Sequence, residues 1–317
     1  MTRILFLVAG RVVLALVTLL LVSLVVFCAL EVIPGDVATR ILGRHATPES
    51  LAAVREQLGL HRPAVVRYFS WLQGVAVGDF GHSLISGRPV SEALATPLRN
   101  TLILSACALL LYFPLAFGIA VVQALNRERP VDFALSTGTL LMASIPDFLL
   151  GTILLLLFAV FLPVLPVLSQ VTDESSLTEW LRAVAMPAAT LAVVMAVYAI
   201  RMLRDNLIDA LNAEHVHMAA LRGLGRRVVV MKYALPTALI PTVNVTALNI
   251  SYLVGGVVIV EKVFTYPGFG SVTIDAFQLR DLPMIEATVL IAAAIYIVAN
   301  LIADILAILL NPKLRDA

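Results

Sequence analysis

Apolar residues dominate six long stretches of the chain, and short polar connections separate them. A helix that crosses a bilayer core of about 30 Å needs about 20 apolar residues, because each helical residue rises about 1.5 Å. Backbone polar groups are costly to leave unpaired in lipid, so each stretch is predicted to be a transmembrane helix. The six predicted spans are Val12–Leu30, Thr101–Val122, Phe133–Leu162, Ala185–Ile200, Ala238–Val260 and Pro283–Leu310.

Two prolines lie within these stretches. Pro146 is inside the third span and is predicted to kink or break it, because proline lacks an amide hydrogen and its ring clashes with the preceding turn. Pro187 lies near the start of the fourth and shortest span, where the first helical turn would tolerate it.

Lysine and arginine are distributed unequally between the two sets of short connections. One set contains Arg3, Arg11, Arg127, Arg129, Arg201, Arg204, Arg222, Arg226, Arg227, Lys232, Lys313 and Arg315. The opposite set contains only Arg182, Lys262 and Arg280. Because cytoplasmic loops are enriched in these residues, both termini are predicted to be cytoplasmic and the long segment Glu31–Leu98 to be extracytoplasmic.

The long external segment is predicted to be structured. Thr47-Pro48-Glu49 combines an N-cap, a proline in the first turn and an early acid, which favours a helix that ends near Gly59. The aromatic residues that follow, Tyr68, Phe69 and Trp71, suit either a membrane-interface helix or a small external core.

The predicted domain organisation has three parts. Residues 1–98 form the first span and the external segment, residues 99–312 form the transmembrane core with a cytoplasmic loop near 201–236, and residues 313–317 form a cytoplasmic tail.

Composition agrees with a membrane protein, since 60% of the residues are hydrophobic and only 14% are charged. The formal charge of +1 gives no support to nucleic-acid binding. Cys28 and Cys107 lie inside apolar stretches and are expected to be packed thiols. The first stretch is longer than a signal-peptide core, so it is expected to be a retained span.

No catalytic or cofactor chemistry is evident in the sequence. A phosphate-binding loop ending in Gly-Lys-Ser/Thr is absent, and Gly223-Leu224-Gly225 follows no predicted strand. His215 and His217 are two residues apart and do not share a helical face, which favours solvated histidines over a metal site. The chain is therefore predicted not to be an enzyme and to bind no metal or cofactor.

The loop from Arg201 to Lys232 is polar but patterned. Asn212 is a candidate N-cap for a short helix with Glu214 in its first turn, and Gly223 is placed to end that helix after Arg222. Ala219 and Gly223 are four residues apart, so two small residues share a face that another protein could approach closely. The pattern suits a docking helix, and it equally suits an ordinary capped surface helix.

The spacing of the residues that follow this helix resembles a motif of a known protein family. Gly223 is followed after nine residues by Tyr233-Ala234-Leu235-Pro236, which resembles the Gly-x9-Ile-x-Leu-Pro end of the "EAA" loop of ABC importer permeases. Two departures are the tyrosine in place of isoleucine and His217 in place of an acidic residue, and the second removes the acid that would contact the ATPase.

Further segments resemble the dipeptide/oligopeptide permease family in order along nearly the whole chain. They are Ile33-Pro34-Gly35-Asp36, Leu58-Gly59-Leu60-His61-Arg62-Pro63, Gly78-Asp79-Phe80-Gly81-His82-Ser83, Pro89-Val90, the segment Glu261–Gly270, Arg280-Asp281-Leu282-Pro283, Asn300, Asp304 and Asn311-Pro312-Lys313-Leu314-Arg315. Asn311 departs from the aspartate that is frequent before this proline in the family.

This resemblance implies a type I ABC importer permease fold in the bacterial inner membrane. It implies a second, usually nonidentical permease subunit, two cytoplasmic ATPase subunits that hold the ATP and magnesium, and an extracytoplasmic solute-binding protein. The residues expected to couple the chain to the ATPases are His217, Ala219, Ala220, Gly223, Leu235 and Pro236.

Candidate residues for the solute path come from the fifth and third spans. Asn244, Ser251 and Gly255 are spaced by seven and four residues, so they share a helical face that either lines the path or packs against a neighbouring helix. Asp147, beside Pro146, is a further path candidate, whereas Asp304 is assigned a structural role.

Alternative functions remain open from the sequence. Relatives with these motifs carry peptides, but a nickel chelate, glutathione, an opine or an oligosaccharide is an alternative solute. A self-sufficient secondary transporter would show mid-membrane coupling residues or inverted repeats, and neither is clear here. A membrane enzyme is disfavoured by the missing catalytic residues.

Overall fold

A computed structural model describes residues 2–32, 47–57, 61–172 and 175–310. Within these ranges the chain is predominantly helical and contains no strand beyond an isolated bridge between His82 and Pro89. The predicted all-α membrane fold is confirmed. The predicted motifs at residues 33–36, 58–60 and 311–315 lie outside the described residues.

The helices follow one another with short connections. Their bounds are α1 (Thr2–Val32), α2 (Pro48–Gln57), α3 (Ala64–Ala76), α4 (Val90–Leu125), α5 (Pro130–Ser144), α6 (Asp147–Leu155, continued by the π-helical segment Leu156–Phe161), α7 (Leu177–Leu211), α8 (Glu214–Leu221), a short turn (Arg226–Val228) with a π-helical segment (Val229–Ala234), α9 (Leu235–Val263), α10 (Phe269–Leu279) and α11 (Leu282–Leu310).

Five of the six predicted spans correspond to segments that are apolar and long enough to cross a membrane. In the described part of the chain these are four helices, or up to five spans if a bent pair counts as one. They are Ala9–Glu31, Val90–Leu125, Leu177–Leu211, Leu282–Ile302 and the bent pair Pro130–Ser144 with Asp147–Phe161. The remaining prediction, Ala238–Val260, lies inside α9, several of whose side chains are outside the described residues.

The break predicted at Pro146 is confirmed. Helices α5 and α6 meet there at an angle of 108°. Ile145 is extended, with ψ 125°, as expected because a following proline disfavours the helical region for the residue before it. Pro146 itself is the N-cap residue of α6, which places Asp147 in the first turn of that helix.

The prediction that Pro187 lies in a first turn is wrong, because α7 begins ten residues earlier. Ser176 and Glu179 form a capping box in which each side chain bonds the other residue's backbone N–H, and this pair starts the helix at Leu177. Pro187 therefore lies in the helix interior, where its missing N–H removes one backbone hydrogen bond. Sequence periodicity missed the start because the preceding turns of α7 are more polar.

The chain divides into two compact units. The first unit comprises residues 1–101 and 268–298, and the second comprises residues 102–267 and 299–317. The core of the first unit is built around Val90, Leu94, Phe269, Met284 and Ile285. The division into three domains expected from the sequence stays a prediction.

Helix α7 is the centre of the second unit. Of the residues in the most apolar stretch of α7, 72% are buried. In the most apolar stretch of α4, 22% of the residues are buried. Helices α5, α6 and α9 all pack against it. By contrast, only 6% of the residues in the most apolar stretch of α1, in the first unit, are buried. Most of that span is therefore exposed to lipid or to another subunit.

Candidate functional site

The cytoplasmic loop begins where α7 ends. Asn212 is the C-cap of α7, and α8 starts two residues later with Ala213 as its N-cap. The prediction that Asn212 caps α8 is therefore wrong, since its backbone N–H is used to close α7 by bonding the carbonyls of Ile208 and Asp209. Glu214 does lie in the first turn of α8.

Gly223 ends α8 as predicted. Arg222 is the C-cap, and Gly223 follows with φ 77°. This left-handed conformation is open to glycine at no steric cost, which explains why glycine stands at this position. No atom lies within 4 Å of the place where a Cβ would be, so the glycine is not required by crowding within the chain.

The two faces of α8 have different environments. Val216 and Ala219 are buried against the core of the second unit. The predicted docking face is thus corrected for Ala219, because this residue packs inside its own chain and is not available to a partner. His217, Ala220 and Gly223 are exposed.

Two exposed apolar side chains on α8 were missed by the sequence analysis. Met218 is 54% exposed and Leu221 is 72% exposed, and they are three positions apart, so they lie on the same side of the helix. Both residues could have been noticed in the sequence, because they are large apolar residues in a loop where Arg222, Arg226 and Arg227 follow. We call this surface, formed by Met218, Leu221 and these arginines, the α8 surface.

The loop beyond α8 is anchored to the second unit. Arg226 donates a hydrogen bond from Nη2 to the carbonyl of Leu125 at the end of α4, at 3.3 Å. Thr237 in α9 lies 3.4 Å from Nε2 of His215 in α8. Leu235 is half-buried against the core, whereas Pro236 is exposed in the first turn of α9.

A charged pair fastens α5 to α7 near this loop. Arg204 donates from Nε to Asp132 Oδ1 at 2.8 Å and from Nη2 to Asp132 Oδ2 at 2.7 Å. Asp132 is 4% exposed and also accepts hydrogen bonds from Ser136 Oγ and the backbone N–H of Glu128. The carboxylate is therefore buried but fully engaged, which is the condition under which a buried ion pair is stable.

The path candidates are only partly described. Asp147 accepts a hydrogen bond from the hydroxyl of Tyr252, which joins α6 to α9. Gly255 is exposed and lies three residues after Tyr252, so the structure brings Asp147 towards the face that carries Gly255. The side chains of Asn244, Ser251 and Asp304 lie outside the described residues.

Close packing around Tyr252 was not anticipated. A Cβ at Gly256 would lie 2.9 Å from the Tyr252 ring, so only glycine lets the ring lie along the helix towards Asp147. On the same helix, Asn249 donates to the carbonyl of Met195 in α7 at 2.9 Å. A short polar face of α9 is thus fixed by neighbours from two other helices.

Two segments singled out from the sequence meet in the first unit. The Ser83 hydroxyl donates to Asp281 Oδ2 at 2.5 Å, and the backbone N–H of Leu84 donates to Asp281 Oδ1 at 3.1 Å. Ser83 and Asp281 are both buried. Residues 78–83 and 280–283 therefore form one structural contact, although about 200 residues separate them in sequence.

The segment Glu261–Gly270 is mainly a packing element. Glu261, Phe264 and Tyr266 are at most 1% exposed. The carbonyl of Phe264 accepts from the backbone N–H of Ser169, and the Tyr266 ring packs edge-on against Trp180. This segment fixes the ends of α7 and α9 against the loop that precedes α7.

Several helices that are long and apolar enough to cross a membrane, joined by a basic loop with an exposed apolar helix, define the class of multi-pass membrane proteins. Comparison with known proteins makes the class specific. The chain matches the family described as "binding-protein-dependent transport system inner membrane component" over residues 114–316, and the N-terminal part of the same component over residues 1–104.

Relatives with assigned names align with almost the whole chain. It is 35% identical over 300 residues to the glutathione transport system permease protein of Salmonella typhimurium, covering 94% of this chain and 95% of that protein. It is 31% identical over 305 residues to a probable peptide ABC transporter permease of Sinorhizobium fredii, covering 96% and 97%. A putative peptide transport system permease of Brucella abortus is 31% identical over 309 residues, covering 98% of each chain.

The chain belongs to the family of inner-membrane permease subunits of binding-protein-dependent ABC importers, in its peptide branch. It is a multi-pass inner-membrane protein, and such permeases work with ATPase subunits and a solute-binding protein. The family consists of membrane components and not of catalytic subunits.

Removing Arg204 is expected to destabilise the second unit strongly. In Arg204→Leu the Asp132 carboxylate would remain buried without its cation, which costs about 3 to 5 kcal/mol. The exposed Arg201→Leu, three residues earlier on α7, removes the same charge without exposing a buried partner and is the matched control. The measurement is the apparent Tm of the purified variants in detergent. Equal Tm values for the two variants would contradict the structural role of the pair.

Proposed function

We propose that this chain forms half of a translocation path for short peptides, including glutathione, and transmits ATP-driven movement to that path through α8. The peptide class is supported by the names of relatives that align over at least 94% of this chain. Glutathione is itself a tripeptide, so the two kinds of relative handle one chemical class.

The proposed complex contains a second permease subunit, two ATPase subunits and a solute-binding protein. ATP and magnesium would be held by the ATPase subunits, since this chain has no phosphate-binding loop. The poorly buried windows of α1, α4 and α11 are consistent with a subunit that contacts lipid and a partner on several sides.

The α8 surface is the proposed ATPase-docking element. Its exposed Met218 and Leu221 would enter an apolar groove, and the surrounding arginines suit an acidic rim. His217, Ala220 and Gly223 border this surface and remain part of the proposal. Leu235 and Pro236 would act indirectly, by fixing the start of α9 behind the loop.

The proposed path runs along the face of α9 that carries Gly255 and its helical neighbours at 244 and 251. The bond between Tyr252 and Asp147 supports this assignment, because Tyr252 is 44% exposed and a polar pair on a membrane helix is costly unless it faces a partner or water. Movement of α6 against α9 would then alter the path at this pair.

Both termini and the loop around α8 are proposed to face the cytoplasm, with α2 and α3 outside. The support is the excess of arginine and lysine in one set of short connections. Single cysteines, Ser50→Cys and Asn212→Cys, in a chain carrying Cys28→Ala and Cys107→Ala provide the test. In intact cells an impermeant thiol reagent should label the cysteine at position 50 and not the one at position 212. Labelling at position 212 without permeabilisation would overturn this topology.

Placing a charge on the α8 surface is expected to uncouple transport. Leu221→Asp should reduce ATPase co-purification and uptake of labelled glutathione or a labelled dipeptide by at least about tenfold, because a carboxylate would be desolvated in an apolar contact. Leu221 is 72% exposed within its own chain, so the membrane spans should insert normally.

The matched control is Met231→Asp, a comparably exposed apolar residue in the π-helical segment outside the α8 surface. It should retain assembly and uptake per inserted molecule. Wild-type uptake in Leu221→Asp would remove the docking role. Failure of the unaltered importer to take up glutathione or any dipeptide would remove the proposed solute class.

A further inference from the structure

A cavity of about 470 Å³ lies in the first unit. Its walls come from the end of α1, from α3, from the loop after α3 and from the start of α11. Its volume falls within the range of about 300 to 1,000 Å³ that small-molecule sites occupy. Glu31, the last residue of the apolar span in α1, and Leu282, the first residue of the span in α11, both line the cavity.

The cavity is acidic and aromatic. Four carboxylates and two arginines line it, together with the rings of Phe27, Trp71 and Phe80. Arg67 already has partners within the chain, because it pairs with Glu31 at 2.5 Å and lies 5.9 Å from the Phe27 ring centroid. Asp79 accepts the backbone N–H of Gly81.

These interactions leave over the exposed Glu56 and one partly buried carboxylate, Glu286. It lies in the second turn of α11, is half-buried, and forms no hydrogen bond or ion pair within the described part of the chain. Arg67 and Glu31 act on it only through their charges, and those charges oppose each other. A half-buried carboxylate on a membrane helix is costly without a hydrogen-bonding cation.

The complementary charge at the rim is Arg62. It is exposed and likewise makes no hydrogen bond or ion pair among the described residues. In addition, Arg67 Nε and Trp71 Nε1 are buried donors with no acceptor in the described ranges. The same cavity therefore offers an unused acceptor and several unused donors, which together suit a ligand with both charges.

A metal ion fits these residues poorly. The described residues contain no group of three or more His, Cys, Asp or Glu side chains placed to hold a metal. An ammonium needs only one carboxylate and is favoured further by aromatic faces such as those of Trp71 and Phe80.

We propose that this cavity binds a zwitterion bearing a primary ammonium, with the ammonium on Glu286 between the Trp71 and Phe80 rings and the anionic group towards Arg62. Two sources share this chemistry: a free short peptide and the headgroup of phosphatidylethanolamine. The cavity shares no residue with the proposed path or docking surface, so this proposal holds or fails independently of them.

Tryptophan fluorescence provides a direct readout, since Trp71 lines the cavity and the only other tryptophan in the sequence is Trp180. The full-length chain carrying Trp180→Phe, purified with its partner subunits, is placed in nanodiscs of phosphatidylcholine, and the signal of the same complex that also carries Trp71→Phe is subtracted to remove the partners' tryptophans. One arm titrates glycyl-leucine against N-acetylglycyl-leucine, which lacks the ammonium. The other arm replaces phosphatidylcholine stepwise by phosphatidylethanolamine.

A saturable change in Trp71 fluorescence is expected in at least one arm and not with the acetylated peptide. Glu286→Gln should weaken the response by roughly tenfold, as for loss of one charge-assisted hydrogen bond. Glu56→Gln, which removes a carboxylate from the exposed rim of the same cavity, is the matched control and should change it less than about twofold.

The outcome identifies the source. A response to glycyl-leucine assigns the cavity to a solute, and a response to phosphatidylethanolamine alone assigns it to lipid. No saturable response to either amine, or an equal response to the acetylated peptide, overturns the proposal whether or not Glu286→Gln folds. An undiminished response in a Glu286→Gln protein that assembles normally also overturns it.

Discussion

Close packing around α7 is the constraint on which the second unit depends. Alanines recur along its buried face, including Ala188, Ala192, Ala196 and Ala199, and small side chains allow neighbouring helix backbones to approach closely in a membrane. Lipid gives little hydrophobic driving force between helices, so this fit and a few polar contacts must hold α5, α6 and α9 in place. The bidentate pair of Arg204 with Asp132 and the bond from Asn249 to the Met195 carbonyl are contacts of this kind.

The same helix links the membrane to the cytoplasmic loop. Only Asn212 and Ala213 separate the end of α7 from the start of α8, and Val216 and Ala219 seat α8 on the unit's core. A force applied at the exposed side of α8 would therefore reach α7 directly. Because α7 contacts both sides of the break at Pro146, its displacement would move the two arms of the bent span together with α9.

Features governed by local chemistry were predictable from the sequence. Five of the six spans followed from length and hydrophobicity, the break from Pro146, and the end of α8 from Gly223. Predictions failed where a neighbouring element made a competing contact. Asn212 closes the preceding helix and does not open the next, and Ala219 faces its own core because Val216 beside it is apolar.

Contacts between distant segments, such as Ser83 with Asp281 and Asp147 with Tyr252, have no local signature. A single sequence does not specify which polar residues meet across 198 or 105 positions.

The central claim is that α8 drives the membrane helices through its short connection to α7. It is tested most directly by inserting two glycines between Asn212 and Ala213, which leaves the α8 surface intact but makes the connection flexible. The account predicts that the ATPase subunits still co-purify and hydrolyse ATP, while uptake of glutathione or a dipeptide per assembled importer falls by at least about tenfold, equivalent to a loss of more than about 1.4 kcal/mol of coupling. Uptake equal to that of the unaltered importer would contradict it.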